Sequence, residues 1–108
     1  MKPARYPVLA APHEAEIEIL KSRFIARLHP ATSTQEAQAF IASCREAYAD
    51  ATHNCWAFAV GPPGDSGQVG CSDDGEPHGT AGRPMLNVLL HGEVGELVAV
   101  VTRYYGGT

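Results

Sequence analysis

The sequence predicts a single α+β domain, in which one mainly antiparallel sheet carries two helices. The chain has 108 residues, which is long enough for one buried core and too short for two. Its hydrophobic patterns run in the order strand, strand, helix, strand, strand, helix, strand. We expect two layers, with both helices on one face of the sheet.

Composition favours a soluble globular protein, with 44% apolar and 19% charged residues. The longest apolar run, Leu97 to Val101, is far shorter than the roughly 20 residues that cross a bilayer, and no signal-peptide pattern opens the chain. We therefore expect a cytoplasmic protein with no membrane partner. A net charge of −4, with the acidic excess in the second half, argues against a surface that binds nucleic acid non-specifically.

The first half predicts a hairpin and a helix. Glutamates alternate with apolar residues over 14–19, and arginines alternate with apolar residues over 23–28, so we expect paired strands with Glu and Arg meeting on the outer face. Ser33, three residues before Glu36, matches a capping box. Helical spacing then predicts a buried stripe: Ala37, Phe40, Ile41, Cys44, Ala47 and Tyr48.

The second half predicts a central strand, a short returning strand, a helix and a last strand. Residues 54–60 are apolar on both faces, as in a strand that is covered on both sides, and residues 68–71 can return beside it. Pro84 fits only the first turn of the second helix. The buried side of that helix is predicted to be Met85, Leu86, Leu89 and Leu90, and the apolar strand ELVAVVTRYY follows.

The stretch SDDGEPHGTAGRP, residues 72–84, is the densest candidate site. Asp73, Asp74 and Glu76 could hold Mg²⁺ or Ca²⁺, but the ligand spacing of an EF-hand is absent. Residues 79–83 could present helix amides to a phosphate, but no P-loop or GxGxxG motif occurs and the nearby acids would repel a phosphate. A structural alternative is that the acids offset the positive end of the helix dipole. We expect no metal and no cofactor.

The three cysteines are odd in number and lack CxxC spacing, so we expect reduced and mostly buried thiols: Cys44, Cys55 and Cys71. Cys55 follows His53 by two residues on a predicted strand, which puts both side chains on one face and makes them a candidate nucleophilic pair. The alternative is a buried cysteine beside a histidine that bonds a nearby carbonyl. We favour this alternative because no basic neighbour in the sequence would lower the thiol pKa.

The last strand ends in RYYGG, residues 103–107, where alternation sends Tyr104 opposite to Arg103 and Tyr105. This arrangement suits stacking or contact with a partner. An equally supported alternative places Tyr104 in the core with its hydroxyl bonded, and pairs Arg103 with one of the loop acids. We also expect the glycine at 82 to allow close approach of the helix start to the RYYGG turn, or to adopt a positive φ, with Arg83 at the surface.

Four ordered motifs resemble the Impact N-terminal family, which includes the bacterial YigZ-like proteins: KSRFIA, ATHNCWAF, SDDGEPHGTAGRPML and VVTRYYGGT. The resemblance implies a fold similar to the second domain of ribosomal protein S5. It also implies a ferredoxin-like second domain in bacterial members, which we expect not to be contained in these 108 residues. We divide the chain into an N-terminal extension, 1–14, and an Impact N-terminal domain, 15–108. We expect that domain to be truncated at its C-terminal end.

The family's signature positions correspond here to Asp73, Asp74, Gly75, Glu76, Pro77, Gly79, Thr80, Ala81, Gly82, Arg83, Pro84, Arg103, Gly106 and Gly107. His78 replaces the usual serine, which leaves Thr80 as the expected cap of the second helix. Eukaryotic relatives restrain activation of an initiation-factor kinase by competing for its activator, and the bacterial members have no settled activity. The resemblance therefore supplies no catalytic residue.

We predict a non-enzymatic domain, linked to translation control, that recognises a protein or a structured, ribosome-associated RNA through loop 72–84 and turn 103–108. The predicted binding patch consists of Asp73, Asp74, Glu76, His78, Gly79, Thr80, Gly82, Arg83, Arg103, Tyr105, Gly106 and Gly107. The alternative function is a small hydrolase that uses the loop carboxylates with a metal ion, or Cys55 with His53. The sequence leaves the oligomeric state open.

Overall fold

A computed structural model describes residues 8–19, 22–62, 65, 67–74, 82–92 and 94–104. The strands are β1 (His13–Ile19), β2 (Ser22–Pro30), β3 (His53–Ala59), β4 (Val69–Ser72) and β5 (Leu97–Tyr104), and the helices are α1 (Thr34–Ala47) and α2 (Gly82–His91). The strands form one five-stranded sheet in the order β1-β2-β5-β3-β4, and every pairing is antiparallel. These elements confirm the α+β class, the element order and the antiparallel sheet.

The two helices lie on opposite faces of the sheet, so the expectation of two layers with both helices on one face is wrong. On β5, Val98 and Val100 pack in the cluster that contains α1, whereas Leu97 and Ala99 pack in the cluster that contains α2. The central strands β3 and β5 are apolar at successive positions, so both of their faces must be covered to exclude water. The arrangement is three layers, with the sheet in the middle.

Helix α1 begins as the capping pattern predicts, with one difference. The Ser33 hydroxyl oxygen accepts a hydrogen bond from the Glu36 N–H at 3.1 Å. The Glu36 carboxylate accepts from the Thr32 N–H at 2.7 Å, one residue before the cap, so the reciprocal bond of a standard capping box is displaced. The buried stripe is Ala37, Ile41 and Cys44, flanked by the half-buried Phe40 and Tyr48, whereas Ala47 is exposed.

The predicted Glu–Arg pairs of the β1–β2 hairpin are present, and their glutamates and Arg23 are exposed, as expected of an outer face, whereas the side chain of Arg27 is only 11% exposed. Arg23 bonds Glu16 with an Nε–Oε2 distance of 2.6 Å, and Arg27 bonds Glu14 with an Nε–Oε1 distance of 3.0 Å. Between the arginines, on the same face, Ile25 is 2% exposed. The Arg27 guanidinium lies 3.8 Å from the ring centre of Tyr48. This face of β2 therefore packs towards α1.

Strand β3 lies between β5 and β4, which confirms the predicted central strand covered on both sides. Helix α2 covers one of its faces by burying Leu86 and Leu89 against Ala57 and Ala59, with Met85 and Leu90 partly buried alongside. Pro84 is in the first turn of α2, where its missing N–H costs no hydrogen bond. In the described residues, neither helix is long and apolar enough to cross a membrane.

Candidate functional site

The candidate site lies at the end of the sheet where β3 begins and β5 ends. Arg103 is opposite His53 in the β3–β5 ladder, and the Thr52 N–H donates to the Arg103 carbonyl at 2.9 Å. On the other side of β3, the strand β4 ends at Ser72, from which the loop 72–84 departs. The fold therefore brings the start of the loop and the last described residues before the turn to one end of the sheet.

Asp74 fastens the loop to the first residues of β3. Its backbone is left-handed, with φ of +48°, a conformation that aspartate tolerates better than most residues. Its carboxylate accepts from the Asn54 N–H at 2.6 Å, and its carbonyl accepts from the His53 Nδ1–H at 2.7 Å. A looser ion pair, 3.8 Å long, joins the same carboxylate to Arg45 at the end of α1. Asp74 is thus a turn residue that is bonded to two neighbouring residues of β3 and to the last turn of α1.

Asp73 caps helix α2 from a distance. Its carboxylate accepts from the Gly82 N–H at 2.6 Å, and Gly82 is the first residue of the helix. A carboxylate at this position satisfies a free amide and offsets the positive end of the helix dipole, as in the structural alternative for these acids. Thr80, which we expected to be the cap, lies outside the described residues.

Gly82 is in close contact with β4. A Cβ built on it would lie 2.7 Å from the carbonyl carbon of Ser72 and 2.8 Å from its nitrogen, and both of these atoms are backbone. The expectation that this glycine allows a close approach is confirmed. Among the described residues the neighbour is the end of β4, which is joined to α2 by the loop that Asp73 closes, and residues 105–107 of the RYYGG turn lie outside the described residues.

His53 and Cys55 share a face of β3, and both donate hydrogen bonds to the loop. The Cys55 thiol is 1% exposed and donates to the Asp73 carbonyl at 3.2 Å. Because a carbonyl can only accept, the contact between His53 and the Asp74 carbonyl puts the proton on Nδ1. These contacts match the alternative in which a buried cysteine lies beside a histidine that bonds a carbonyl.

Two buried polar residues that the sequence pattern does not single out hold this end of the sheet together. The Thr102 hydroxyl donates to the Asn54 side-chain oxygen at 2.7 Å, and both residues are buried. The Asn54 side-chain amide donates to the Tyr48 carbonyl at 3.2 Å. Together they join β5, β3 and the end of α1. The sequence did hold a signal for this bond: Asn54 and Thr102 are polar residues at inward positions of strands that are otherwise apolar.

Arg103 and Tyr104 point to opposite faces, as alternation predicts. The Arg103 guanidinium lies over the Phe24 ring, 5.1 Å from its centre, on the face that α2 covers further along. On the other face, the Tyr104 hydroxyl donates to Asp50 at 3.0 Å. Partial burial and the Asp50 carboxylate together raise the pKa of Tyr104. The Tyr104 hydroxyl is therefore bonded, as the structural alternative expected, but the residue is half-buried and its bond to Asp50 is exposed, so the expected place in the core is wrong.

Of the predicted patch, the described residues place Asp73, Asp74, Gly82 and Arg103 together at this end of the sheet. The remaining members lie outside the described residues, as does the side chain of Arg83: Glu76, His78, Gly79, Thr80, Tyr105, Gly106 and Gly107.

No group of three or more His, Cys, Asp or Glu that could hold a metal ion occurs in the part of the chain that the structure describes. The three cysteines are free, with Cys44 and Cys55 buried and Cys71 half-buried, which confirms the expectation of reduced and mostly buried thiols.

An apolar recess of about 230 Å³ lies at the opposite end of the sheet, lined by residues of β2, α2 and the start of β5: Leu28, Val88, Leu89, Gly92, Val94 and Leu97. Strand β5 separates it from Arg103 by about 20 Å, the length of six strand residues. The recess is therefore not part of the candidate site.

The family model for the Impact N-terminal domain matches residues 20–108. The chain belongs to the Impact N-terminal domain family. "IMPACT family member YigZ" of Escherichia coli (strain K12) is 53% identical over 98 residues, which are 91% of this chain and 48% of the relative. "IMPACT family member YvyE" of Bacillus subtilis (strain 168) is 50% identical over 94 residues, which are 87% of this chain and 42% of the relative.

A solved structure described as "Crystal structure of an hypothetical protein" superposes on this chain with a TM-score of 0.90 and 50% sequence identity. It covers 95% of this chain, which in turn covers 50% of the solved chain. The Impact N-terminal domain described here thus has the same fold as that structure, and it spans about half the length of the relatives it matches.

Proposed function

We propose that this Impact N-terminal domain is a non-enzymatic recognition domain, linked to translation control in the cytoplasm, that binds a translation-related protein or a structured RNA. The binding patch is formed by loop 72–84 and turn 103–108. One observation supports this most strongly: both segments start from the same end of the sheet, where Arg103 is opposite His53 and His53 donates to the Asp74 carbonyl.

The contacts of Asp73 and Asp74 support a site that is rigid at its edges. Asp74 is bonded to β3 and Gly82 is bonded to Asp73, so the two described residues that flank 75–81 are both fastened at the same end of the sheet. A recognition loop held at both ends loses less conformational entropy on binding than a free one. This anchoring favours Glu76, His78, Thr80 and Arg83 as the residues that contact the partner.

The same contacts weigh against the hydrolase alternative. The carboxylates of Asp73 and Asp74 accept short hydrogen bonds from backbone N–H groups, and a metal ion would have to compete with those bonds for the oxygens. Cys55 is almost fully buried and its thiol proton is directed at a loop carbonyl rather than at a substrate. The described members of both candidate catalytic sets therefore have structural tasks in the fold, and Glu76 lies outside the described residues.

The first test is a titration of the intact protein with purified ribosomes, structured RNA and translation factors. We expect one of them to bind, and Arg83→Ala and Arg103→Ala each to weaken that binding at least tenfold. Arg23→Ala is the matched control because it removes an exposed arginine at the same end of the sheet from the opposite face. Binding that survives both patch variants, or is lost equally in Arg23→Ala, would contradict the proposal.

The second test separates recognition from thiol catalysis. Cys55 in the folded protein should react with a thiol reagent at neutral pH far more slowly than an unfolded-chain thiol, because the reagent must wait for local opening. Cys71, which is half-buried, is the internal comparison and should react first. A Cys55 that reacts faster than the unfolded chain would support the hydrolase instead.

A further inference from the structure

Strand β1 is an edge strand of the sheet that the structure describes. Among the described strands it is paired with β2 alone, while α1 and α2 pack against β3, β4 and β5. Its described side chains, 13–16 and 18, are all exposed. The family match begins at residue 20, so β1 lies before the part of the chain that the family model covers.

The outer edge of β1 has neither a proline nor a bulge to block pairing, and its charged side chains are all acidic, so they oppose an acidic strand but not a basic one. The ladder from His13↔Leu28 to Ile19↔Ser22 pairs residue by residue without a bulge, and no proline lies within the strand. In an antiparallel ladder, every second residue directs its N–H and C=O away from its partner strand. The outward-facing groups of every second residue of β1, a seven-residue strand, are a template for one more strand.

Charge selects which strand can bind there. Glu14, Glu16 and Glu18 lie on one face of β1, at alternate positions. Glu14 pairs with Arg27 and Glu16 pairs with Arg23, but the side chains of these two glutamates remain 59% and 49% exposed, so each carboxylate has room for a second cation. The incoming strand therefore meets an acidic row along the whole edge.

A second copy of this chain is disfavoured as the occupant. Residues directly opposite each other in an antiparallel pair share a face, so two copies of β1 in an even register would put glutamate against glutamate. A shift by one residue would put each glutamate row beside the alanine and isoleucine positions of the other copy, with no charge pair formed. Either register lacks the complementary charge that a stable pair needs.

We propose that the outer edge of β1 binds an extended partner segment as an additional antiparallel strand, with Lys or Arg at every second position facing Glu14, Glu16 and Glu18. Backbone hydrogen bonds hold the segment, and the alternate basic residues set its register. This surface does not depend on the patch of loop 72–84 and turn 103–108.

The test uses the intact protein and a labelled peptide of nine residues, in which Lys alternates with Thr and both ends are capped. We expect saturable binding, with NMR amide shifts confined to β1 and the adjoining part of β2. A matched peptide with Glu in place of Lys should not bind. Two N-methylated versions of the peptide, each blocking one of the two alternate sets of amides, should differ in affinity, because only one set faces β1. Equal binding of both versions, or shifts centred on loop 72–84, would overturn the proposal.

A protein variant completes the test. A triple variant should bind the Lys–Thr peptide roughly tenfold more weakly, since each cross-strand charge pair contributes a modest amount of binding free energy. It carries Glu14→Gln, Glu16→Gln and Glu18→Gln. Circular dichroism checks that the variant remains folded. Arg83→Ala should leave peptide affinity unchanged, which keeps this result separate from that of the proposed function. Unchanged affinity in the folded triple variant, or a β1-mediated dimer in sedimentation, would also refute the proposal.

Discussion

Replacing Gly82 by alanine should destabilise this domain, although the same change in most helices is stabilising. Alanine has a higher helix propensity than glycine by roughly 1 kcal/mol. Here the new Cβ would lie 2.7 to 2.8 Å from three backbone atoms of Ser72, closer than van der Waals contact allows. Helix α2 must then move away from β4, and overpacking of this kind costs about 1 to 3 kcal/mol.

The movement also stretches the bond between the Gly82 N–H and the Asp73 carboxylate, which is now 2.6 Å long. Losing a helix cap costs a further 0.5 to 2 kcal/mol, roughly. After the gain of roughly 1 kcal/mol in helix propensity, we expect a net loss of about 0.5 to 4 kcal/mol for Gly82→Ala and more for Gly82→Val. Urea denaturation followed by circular dichroism measures it. Gly67→Ala is the control, because its Cβ would meet only the flexible carboxylate of Asp65 at 3.1 Å. A Gly82→Ala protein as stable as the parent would refute the close contact.

Four further changes test separate parts of the structure. Ser33→Ala removes the N-cap of α1 and should lower the free energy of unfolding by about 1 kcal/mol in urea titrations. Asp73→Ala removes the remote cap of α2 and should cost about 0.5 to 2 kcal/mol, measured in the same way. Asn54→Ala leaves the buried Thr102 hydroxyl without its acceptor and should cost about 1 to 3 kcal/mol, seen as a lower Tm in calorimetry. The Thr32 hydrogen bonds lower the pKa of Glu36, so its contribution to stability is present at neutral pH and is lost as pH falls through that lowered pKa; Glu36→Gln should flatten the acid limb of a stability–pH curve.

Local patterns were sufficient to predict most elements of the fold. Alternation identified the β1–β2 hairpin, the spacing of Ser33 and Glu36 identified the start of α1, and Pro84 identified the first turn of α2. These signals depend on neighbours within a few residues, so they can be read from the sequence directly. The apolar run over 54–60 also predicted a strand that is covered on both faces.

The side of the sheet on which each helix packs could not be read in the same way. Strands β3 and β5 require cover on both faces, but nothing local assigns α1 to the side of Val98 and α2 to the side of Leu97. The error in the predicted layers arose from treating the two-sided apolar strand and the helix placement as independent. A strand apolar on both faces already requires a covering element on each side.

In the candidate site, too, local features could be predicted from the sequence and long-range contacts could not. The dense loop at 72–84 was identified by composition alone, but the partner of each carboxylate was not, because Asp73 bonds a residue nine positions away and Asp74 one that is twenty positions away. Such contacts depend on the strand order. The Asn54–Thr102 bond, which spans forty-eight positions, was missed for the same reason.

Hydrogen exchange of the intact protein, alone and saturated with whichever of ribosomes, structured RNA or translation factors binds it, tests the recognition patch most directly. Because the start of loop 72–84 and the end of β5 meet at one end of the sheet, a single partner should slow exchange in 72–84 and 103–108 together. The backbone amides around the apolar recess, near Leu28 and Val88, should exchange at the same rate as in the unbound protein. Protection of one segment without the other, protection confined to the recess, or no binder at all would contradict the account.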